Sequence, residues 1–486
     1  MFTARGETGM EDVVAEFKEK LYKIEAESGI FELEVNKIRL WQYMRWFCLV
    51  EILYDVTGRE ERTHIRRTVK AQREKMSIRE RISRWQFLIG KKDLVVINHC
   101  RRVKEGKYYR CFVTETMLEN LDCSYYVFEE DYFGRHFRPV TTKNLKYIDM
   151  NWIRKYFNRK NDSTNREIKK FFDRIIQVFE KEYGIPLSQN VKKVMHDYIF
   201  HKYYEIHYRT IWAKIVFSLV KPKAFMVTSP YTPDLEAIIV EAKRRNIKTI
   251  ELQHGIDHTH IAYNYLYQGK IDVFCDYIFV YGKYDKEVPR YPIPRDHVIA
   301  VGYPDLERKV EIYKKRKRDK KKTLVFISGD RTASILPDYA VALRKRDELK
   351  EFRMIYKLHP DEYAAWKSIY PQLCNSGLEI IDNNNKDIYY YLGLADYVIG
   401  ITSSSLYQAT AFDAEIFIVK GGQYQISDIL YKNGYAHLVT SEDMIVDKII
   451  NSVEGKGASK SYFEKNAIEN IKRELNKIMK ESGNGI

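Results

Sequence analysis

The chain has 486 residues, and its 82 lysines and arginines outnumber 67 aspartates and glutamates to give a formal net charge of +15. This length allows about two to four domains. A content of 45% hydrophobic and 31% charged residues is globular and excludes a disordered or collagen-like chain. The positive charge indicates an anionic partner, which is a nucleic acid, a phosphorylated small molecule or an acidic membrane surface.

Targeting and redox signals are weak throughout the sequence. No run approaches the roughly 18–20 apolar residues that a membrane span needs, and the first residues lack the apolar stretch of a secretory signal. The six cysteines form no C-x-x-C pair, so we expect reduced thiols rather than a disulfide framework or a zinc site. We therefore expect a cytoplasmic protein, either free or at the inner face of the membrane.

The first two hundred residues are predicted to be mainly helical. Residues 10–28 are polar and helix-like, 31–55 carry aromatic residues at the spacing of a buried helix, and 62–84 form a basic segment of helical character. Residues 93–98 are a short apolar run that predicts a strand, and His99 follows this strand directly. Residues 161–220 return to a long helical pattern.

A regular alternation of strands and helices begins at residue 224. Strands are predicted at 224–228, 249–252, 277–281 and 298–302, and a helix at 234–245 has Asp234 as its candidate cap. Strands alternating with helices are typical of a Rossmann-like domain with a parallel sheet.

A basic run then separates this half from a second alternating half. Ten of the fifteen residues in 308–322 are lysine or arginine, and strands are predicted beyond it at 323–327, 353–358, 378–381, 397–401 and 416–419. We therefore predict an N-terminal Rossmann-like domain over 1–307 with helical additions, a basic linker over 308–322 and a C-terminal Rossmann-like domain over 323–486. We expect the last helix to pack back on the N-terminal domain.

A hydroxyl-rich turn between a predicted strand and a helix is the most informative segment. It contains Thr402, Ser403, Ser404 and Ser405. Backbone N–H groups at the start of a helix, together with its dipole, bind anions, and small hydroxyls add donors without bulk. The alternative is that Ser403 or Ser404 serves only as an N-cap.

His359 stands before Pro360, where the strand 353–358 ends. Proline disfavours helical backbone at the preceding residue, which places the imidazole at the carboxyl end of the strand. A histidine there can donate a hydrogen bond to a phosphate oxygen or a proton to a leaving phosphate. The alternative is a purely structural histidine.

Three histidines follow the strand 249–252, namely His254, His258 and His260. Their spacing matches no helical metal motif, and Gly255 breaks any helix they would share, so a metal site is the weaker interpretation. We prefer a tight turn in which His254 or Asp257 faces the crevice between the halves as a general base.

These segments together resemble a group of GT-B fold glycosyltransferases of bacterial surface-polysaccharide synthesis. The residues that carry the resemblance are Gln253-His254-Gly255, Val301-Gly302-Tyr303-Pro304, His359-Pro360 and Thr402 to Ser405. The group includes capsule-associated Kdo transferases, bacterial sialyltransferases and CDP-glycerol glycerophosphotransferases. The resemblance implies a GT-B type α/β fold, in which two Rossmann-like domains face each other across a cleft.

The resemblance also implies a donor and a division of roles. In the bacterial sialyltransferases the histidine of the His-Pro motif contacts the donor phosphate and assists leaving-group departure, and the serines bind the phosphate. These roles fall on His359 and on Ser403 to Ser405. The acidic motif that supplies the sialyltransferase base has no clear counterpart, and Gln408 stands where many related enzymes hold the ribose with a glutamate.

We therefore expect a glycosyltransferase that needs no metal or other cofactor. Its donor is a nucleotide-activated sugar, with CMP-linked nonulosonic acid or Kdo-type sugars first, and its acceptor is a hydroxyl of a bacterial surface glycan or glycoprotein. Predicted donor contacts, besides the serines and His359, are Ser328, Gly329, Arg331, Thr332, Lys357, Pro360 and Thr402. Predicted acceptor contacts are His99, Arg101, Arg102 and Gln253.

Three other functions compete with this one. A CDP-alcohol phosphotransferase of teichoic-acid type belongs to the same group, and an isomerase similar to UDP-N-acetylglucosamine 2-epimerase also uses two Rossmann-like halves. A nucleic-acid binder is suggested by charge alone, and since the sequence has no recognisable binding motif we expect no specific nucleic-acid partner.

Overall fold

The computed structural model describes residues 5–58, 90–132, 136–148, 150–157, 161–314, 321–329, 335–422, 424–451 and 460–483. The predicted basic helical segment 62–84 and the predicted donor contacts Arg331 and Thr332 lie outside these ranges. The described residues form two large parallel sheets with helices packed around them, and two small antiparallel pairs, Glu34–Val35 with Ile38–Arg39 and Val103–Glu105 with Tyr108–Arg110.

The first sheet contains seven parallel strands. In chain order they are β1 (Leu94–Ile97), β2 (Tyr125–Glu129), β3 (Leu145–Tyr147), β4 (Ala224–Thr228), β5 (Lys248–Leu252), β6 (Tyr277–Val280) and β7 (Val298–Ala300), and their order in the sheet is β7-β6-β5-β4-β1-β2-β3. The central strands β1 and β4 are buried along their whole length, as expected for strands covered on both faces.

Helices cover the first sheet and extend the N-terminal half. They are Arg5–Glu27, Leu40–Thr57, Glu115–Leu118, Asn151–Tyr156, Asp162–Gln177, Gln189–Val220, Pro233–Arg244, Lys283–Glu287 and Pro304–Lys314. The helical prediction for 161–220 is confirmed as two α-helices, the second of which starts where the Ser188 side chain accepts a hydrogen bond from the Val191 N–H at 3.2 Å. Asp234 does not cap its helix, because the N-cap position belongs to Thr232. The Asp234 carboxylate instead pairs with Lys202.

The second sheet contains six parallel strands. They are β8 (Thr323–Ile327), β9 (Arg353–Lys357), β10 (Glu379–Ile381), β11 (Tyr397–Gly400), β12 (Glu415–Val419) and β13 (His437–Val439), in the order β10-β9-β8-β11-β12-β13. The helices of this half are Leu336–Arg344, Trp366–Ile369, Ile388–Leu394, Ser404–Ala409, Asp428–Lys432, Glu442–Asn451 and Ala467–Gly483. The five strands predicted here from apolar runs are confirmed to within one residue.

Three strands of the two large sheets, like the four short strands of the antiparallel pairs, were not predicted from the sequence. β3 and β13 have only three residues each and are partly exposed, so they carry no continuous apolar run. β2 is fully buried, but its aromatic sequence Tyr125-Tyr126-Val127-Phe128-Glu129 ends in a carboxylate that needs a buried partner. That partner is Arg102, and only the folded chain brings the two side chains together.

The last helix, Ala467–Gly483, packs against the first sheet rather than the second. Its side chains Ile471, Leu475 and Ile478 are buried in the same cluster as β1, β4 and β5. The Glu307 carboxylate accepts hydrogen bonds from the Ala467 N–H at 3.0 and 3.1 Å and so caps the start of this helix. Residues 460–466, which we call the return segment, therefore lead the chain from the second half back to the first.

Part of the basic run belongs to the helix Pro304–Lys314, where two of its members form ion pairs. Arg308 pairs with Glu105 at 2.8 Å, and the buried Lys309 contacts Glu105 and Asp387, each at 2.5 Å. Asp387 belongs to the second half, so this lysine joins the two halves. Among the helices of the described ranges, none is both long and apolar enough to cross a membrane.

Contact with the return segment leaves no room for a side chain at position 302. Gly302 has a φ of +93°, and a Cβ added there would overlap the carbonyl oxygen of Glu464. We expect Gly302→Ala to lower stability by about 2–4 kcal/mol, because it adds overpacking to backbone strain. Thermal unfolding measures the loss.

Gly434→Ala is the matched control, since Gly434 has a φ of +77° and a Cβ added there would meet no atom within 4 Å. It carries the same kind of backbone strain without the overlap. Equal losses of stability in the two variants would show that the contact with the return segment contributes nothing to the loss at Gly302.

Candidate functional site

A cleft of about 440 Å³ lies between the two halves, at the carboxyl ends of the strands. The first half contributes polar groups that follow β1 and β5, and the second half contributes groups that follow β8, β9 and β11. Of the predicted site residues, the cleft is lined by Arg101, His254, Ser328, Lys357, His359, Pro360, Ser403, Ser404 and Ser405. The ends of parallel strands in two domains therefore meet around one cavity.

A buried carboxylate organises the second-half side of the cleft. Glu362 accepts hydrogen bonds from the His359 N–H at 2.9 Å, the Ser328 hydroxyl at 2.6 Å and the Tyr370 hydroxyl at 2.6 Å. Ser328 follows β8 and His359 follows β9, so one carboxylate ties together the ends of two adjacent strands. Sequence reasoning missed Glu362, although a glutamate three residues after a candidate N-cap is the spacing of a capping box.

His359 is held in one tautomer by its own turn. Its Nδ1 accepts a hydrogen bond from the Asp361 N–H at 3.3 Å, which leaves the proton of the neutral ring on Nε2. Burial lowers the pKa of His359, and the side chain is still 39% exposed. A neutral ring with a free Nε2–H donates a hydrogen bond to an anion in the cleft.

Lys357 is a buried amine at the same edge. Its Nζ donates to the carbonyl of Leu358 at 3.1 Å and to the hydroxyl of Tyr363, and it lies 4.6 Å from the centroid of the Tyr363 ring. Burial lowers the pKa of Lys357 to about 8. The amine thus remains charged at neutral pH and loses its charge under mildly alkaline conditions.

The serine turn serves two purposes. Ser403 is the N-cap of the helix Ser404–Ala409, because its hydroxyl accepts a hydrogen bond from the Ser405 N–H at 3.2 Å. The alternative interpretation as a cap therefore applies to Ser403, whereas Ser404 is exposed in the cleft. The predicted donor contacts Gly329 and Thr402 do not line the cleft. They lie against each other, so closely that a Cβ at Gly329 would overlap the Thr402 carbonyl oxygen.

His254 is a first-half residue that lines the cleft. Its Nε2 is 3.4 Å from the Tyr231 hydroxyl, and its ring stacks on that of His99 with 5.9 Å between centroids. Burial, with smaller contributions from His99 and His260, lowers the pKa of His254 to about 3. The ring is therefore neutral at pH 7 and able to accept a proton, and its buried Nδ1 has no hydrogen-bond partner among the described residues.

Two residues predicted to face this cleft have structural roles instead. Asp257 is exposed and accepts hydrogen bonds from the N–H and the hydroxyl of Thr259 at 3.0 and 2.9 Å, which closes a turn. The Gln253 amide donates to Asp285 at 2.8 Å and accepts from the Tyr281 N–H at 2.6 Å. Neither residue lines the cleft, so the predictions of Asp257 as a base and of Gln253 as an acceptor contact are corrected.

The other two histidines of this loop also have separate partners. His258 Nε2 lies 3.1 Å from Asp285 and 3.0 Å from the Tyr462 hydroxyl, which belongs to the return segment. His260 Nδ1 accepts from the Ala262 N–H at 3.3 Å. In the part of the chain that the structure describes, no group of three or more His, Cys, Asp or Glu side chains is arranged to hold a metal ion.

Three of the predicted acceptor contacts follow β1, and they too differ in whether they line the cleft. Arg101 is exposed at the cleft, and His99 lies behind it, accepting the Arg101 N–H on Nδ1 at 3.1 Å. Arg102 is buried, and its guanidinium donates to Glu129 at 2.6 Å and to the Thr142 hydroxyl at 3.0 Å. The prediction that Arg102 contacts an acceptor is therefore corrected, because its donors are used inside the first domain.

Several lining residues were not singled out from the sequence as site residues. They come from segments with no motif and reach the cleft only through folding; they are Glu105, Phe112, Tyr281, Lys309, Tyr363, Asn384, Asp387 and Tyr389. Gln408, which the sequence placed after the serine turn, also lines the cleft. Lys309 came closest to notice because it belongs to the basic run, which was interpreted as a linker. Its burial between Glu105 and Asp387 is not visible in the sequence.

Glu362 predicts a measurable effect on stability. All three of its partners are donors, so the amide nitrogen of Glu362→Gln cannot replace the lost oxygen, and we expect a loss of about 1–3 kcal/mol. Denaturant unfolding of the variant measures it. The control Glu379→Gln removes an exposed pair with Arg353 and should cost about 0.5 kcal/mol or less. Similar losses of stability in the two variants would show that the hydrogen bonds of Glu362 contribute no more than an exposed ion pair.

Comparison with known proteins identifies the fold. No protein-family model matches the sequence, and no curated protein sequence matches it. Among solved structures, UDP-GlcNAc 2-epimerase from Methanocaldococcus jannaschii is 9% identical, covers 80% of this chain and 99% of its own, and superposes with a TM-score of 0.50.

Two further structures match with lower TM-scores. UDP-GlcNAc 2-epimerase from Neisseria meningitidis, bound to UDP-GlcNAc, is 12% identical over 79% of this chain and 99% of its own, with a TM-score of 0.47. The wall teichoic acid polymerase TagF is 10% identical over 81% of this chain and 90% of that chain, with a TM-score of 0.42. Together with the two parallel sheets and the cleft between them, the match to the archaeal epimerase shows that this chain has the GT-B fold.

Proposed function

We propose that this protein is a glycosyltransferase that takes a sugar from a nucleotide donor and transfers it to a hydroxyl of an acceptor. The observation that carries the proposal is the composition of one cleft. A neutral imidazole, His254, lies on one side, and an amine, an imidazole N–H and serine hydroxyls lie on the other, from Lys357, His359 and Ser404. One side suits a base and the other suits an anion.

The second half suits the departing nucleotide. A nucleotide leaving group carries phosphate charge that the protein must stabilise as the sugar–oxygen bond breaks. Lys357 supplies a positive charge, and His359 Nε2–H and the Ser404 hydroxyl supply hydrogen bonds. Glu362 holds the backbone of His359 and the side chain of Ser328 in place, so these donors need little rearrangement on binding.

The first half suits the acceptor. A general base must be unprotonated at working pH, which the lowered pKa of His254 ensures. The negative charge of a bound nucleotide would raise this pKa towards the range in which a base accepts a proton readily. Arg101 is exposed nearby and forms no ion pair with the described residues, so it remains available for a charged group of either substrate. In this scheme His254 takes the proton of the acceptor hydroxyl as the oxygen attacks the donor sugar.

The His-Pro and serine motifs favour a particular donor and place of action. We propose CMP-linked nonulosonic acid or a Kdo-type sugar as the first donors to test, and a bacterial surface glycan or glycoprotein as the acceptor, modified in the cytoplasm at the inner face of the membrane. Gln408 lies in the cleft and takes the ribose position in this proposal. We also propose that lysine, histidine and serine suffice for the leaving group, so transfer should persist in a chelator.

An epimerase is the second candidate, because the fold match with a TM-score of 0.50 is to a UDP-GlcNAc 2-epimerase. The two functions differ in their need for an acceptor. Incubation with UDP-GlcNAc and other sugar nucleotides in the absence of any acceptor distinguishes them. Epimer formation without transfer would favour the isomerase and contradict the transferase.

The donor side is tested by His359→Ala and Ser404→Ala. Each variant should lower affinity for the preferred nucleotide about 10-fold or more, since a hydrogen bond to a charged group is lost. Calorimetric titration with CMP, CDP, UDP, GDP and CDP-glycerol identifies that nucleotide first. The control His437→Ala alters a half-exposed histidine outside the cleft and should bind normally. Parent-like binding and turnover in both cleft variants would contradict the assignment.

The acceptor side is tested by His254→Ala. Donor affinity should stay near that of the parent, while turnover falls about 100- to 10,000-fold because the base is lost. The comparison of the binding constant with kcat separates the two roles. A variant that loses donor affinity as strongly as turnover would place His254 on the donor side instead.

Lys357 predicts a pH dependence of nucleotide binding. The ammonium is present below its pKa of about 8 and is lost as pH rises through that value, so affinity should fall above pH 8. In Lys357→Arg the charge persists, and the fall should disappear. Titrations between about pH 7 and 10 measure both proteins. An unchanged fall in the arginine variant would assign the effect to another group.

A further inference from the structure

A small recess lies behind the first-half wall of the cleft. It is enclosed by the helix Leu40–Thr57, the start of the helix Pro233–Arg244, β5 and the loop 261–265, and its volume is about 20 Å³. A space of this size holds one group no larger than a water molecule or an ammonium. None of the predicted site residues lines it.

Two carboxyl groups line the recess without a partner for one oxygen each. Glu236 is 7% exposed and Glu251 is fully buried, and the Oε2 atom of each has no hydrogen-bond partner among the described residues. The other Glu251 oxygen accepts from the Tyr263 hydroxyl at 2.5 Å. Burial raises the pKa of Glu251 to about 8 and that of Glu236 well above its usual range. Both carboxyls therefore hold a proton at neutral pH when no cation is bound, and a cation that replaces these protons would provide a partner for the two unpaired oxygens.

Arg45 and Gln42 also line the recess, and both already have hydrogen-bond partners. Arg45 donates to Glu25 and to the carbonyls of Ile261 and Asn264. The Gln42 amide donates to the Lys270 carbonyl at 3.1 Å and accepts from the Asp272 N–H at 2.8 Å. The unpaired polar atoms of the recess therefore belong to the two glutamates, which accept hydrogen bonds and attract positive charge once their protons are lost.

Aromatic rings form much of the remaining wall. Trp46 and Tyr231 are half-buried, with 5.0 Å between their centroids, and Tyr263 lies 6.2 Å from Tyr231. The faces of such rings attract cations. A water or a neutral hydroxyl satisfies a carboxyl but gains little from the rings, whereas a compact cation is stabilised by both.

Tyr231 lies between the recess and His254 of the cleft. Its ring lines the recess, and its hydroxyl lies 3.4 Å from Nε2 of His254, the base in the proposed function. We propose that the recess receives a primary ammonium group carried by the acceptor. That the ammonium group belongs to the acceptor rests on the proposed function. Recognition of an ammonium group by the two glutamates and the rings does not depend on that function.

Ligand-observed saturation-transfer NMR with methylammonium chloride tests the cation site on the full chain. We expect saturable transfer to the methyl protons and an upfield shift from the rings. Methanol, which matches the size without the charge, should give neither effect. The variant Glu236→Gln/Glu251→Gln should lose the binding, and Glu379→Gln should keep it. Trp46→Leu, which leaves both carboxyls in place, should weaken it at least several-fold.

Several results would overturn the proposal. The absence of saturable transfer in the parent would mean that the recess holds only water, and equal signals from methanol would show that charge plays no part. Retained binding in the double glutamine variant or in Trp46→Leu would place the cation elsewhere. No nucleotide is present in this measurement, so a protein that binds methylammonium but no nucleotide sugar would refute the proposed function alone.

A second set of probes identifies the source of the ammonium group. Glucosamine carries the amine on a sugar ring, and N-acetylglucosamine is the same sugar without the charge. We expect glucosamine to bind more tightly than methylammonium and N-acetylglucosamine to bind weakly. Equal affinity for glucosamine and methylammonium would assign the recess to a free monovalent cation and overturn the link to the acceptor.

Discussion

The cleft depends on the return segment, which contacts both halves of the molecule. This segment lies directly against the backbone of Gly282 and Gly302, where a side chain would overlap its carbonyl groups. The Glu464 N–H donates to the Tyr281 carbonyl at 2.9 Å, and the Tyr462 N–H donates to the Thr410 hydroxyl at 3.1 Å. The segment thus bonds to both halves at once. Because the proposed base and the proposed phosphate site belong to different sheets, their spacing depends on these contacts.

Burial has opposite consequences for structural and for candidate functional charges in this protein. Arg102 with Glu129, and Lys309 with Glu105 and Asp387, are buried and paired, so desolvation is offset by ion pairs and hydrogen bonds. Lys357 and His254 are desolvated and form no ion pair with the residues that the structure describes, and the pKa of each is lowered. Both Lys357 and His254 line the cleft, where the proposed function places anion binding and proton transfer.

Much of the fold follows from local pattern. The buried strands of parallel sheets are continuous apolar runs, so most were located to within two residues, and polar groups that follow such runs were expected at one edge. This reasoning placed His254, Lys357, His359 and Ser404 in one crevice, and all four line it. It failed for Arg102 and Gln253, since a polar side chain after a strand can turn inward when a buried partner exists. Their partners, Glu129 and Asp285, lie 27 and 32 residues away in the chain.

The sequence alone determined the two-part α/β architecture and which strand ends carry chemistry, because periodicity and turn residues act over a few neighbouring positions. Tertiary structure alone decided which of these residues share the cleft and which residues join them from unmarked segments. Glu362 gained its role by meeting Ser328 and Tyr370, and the recess behind Tyr231 formed where two helices, a strand and a loop leave two carboxyl oxygens unpaired. Such features depend on distances between remote segments, and those distances are set by packing rather than by local sequence.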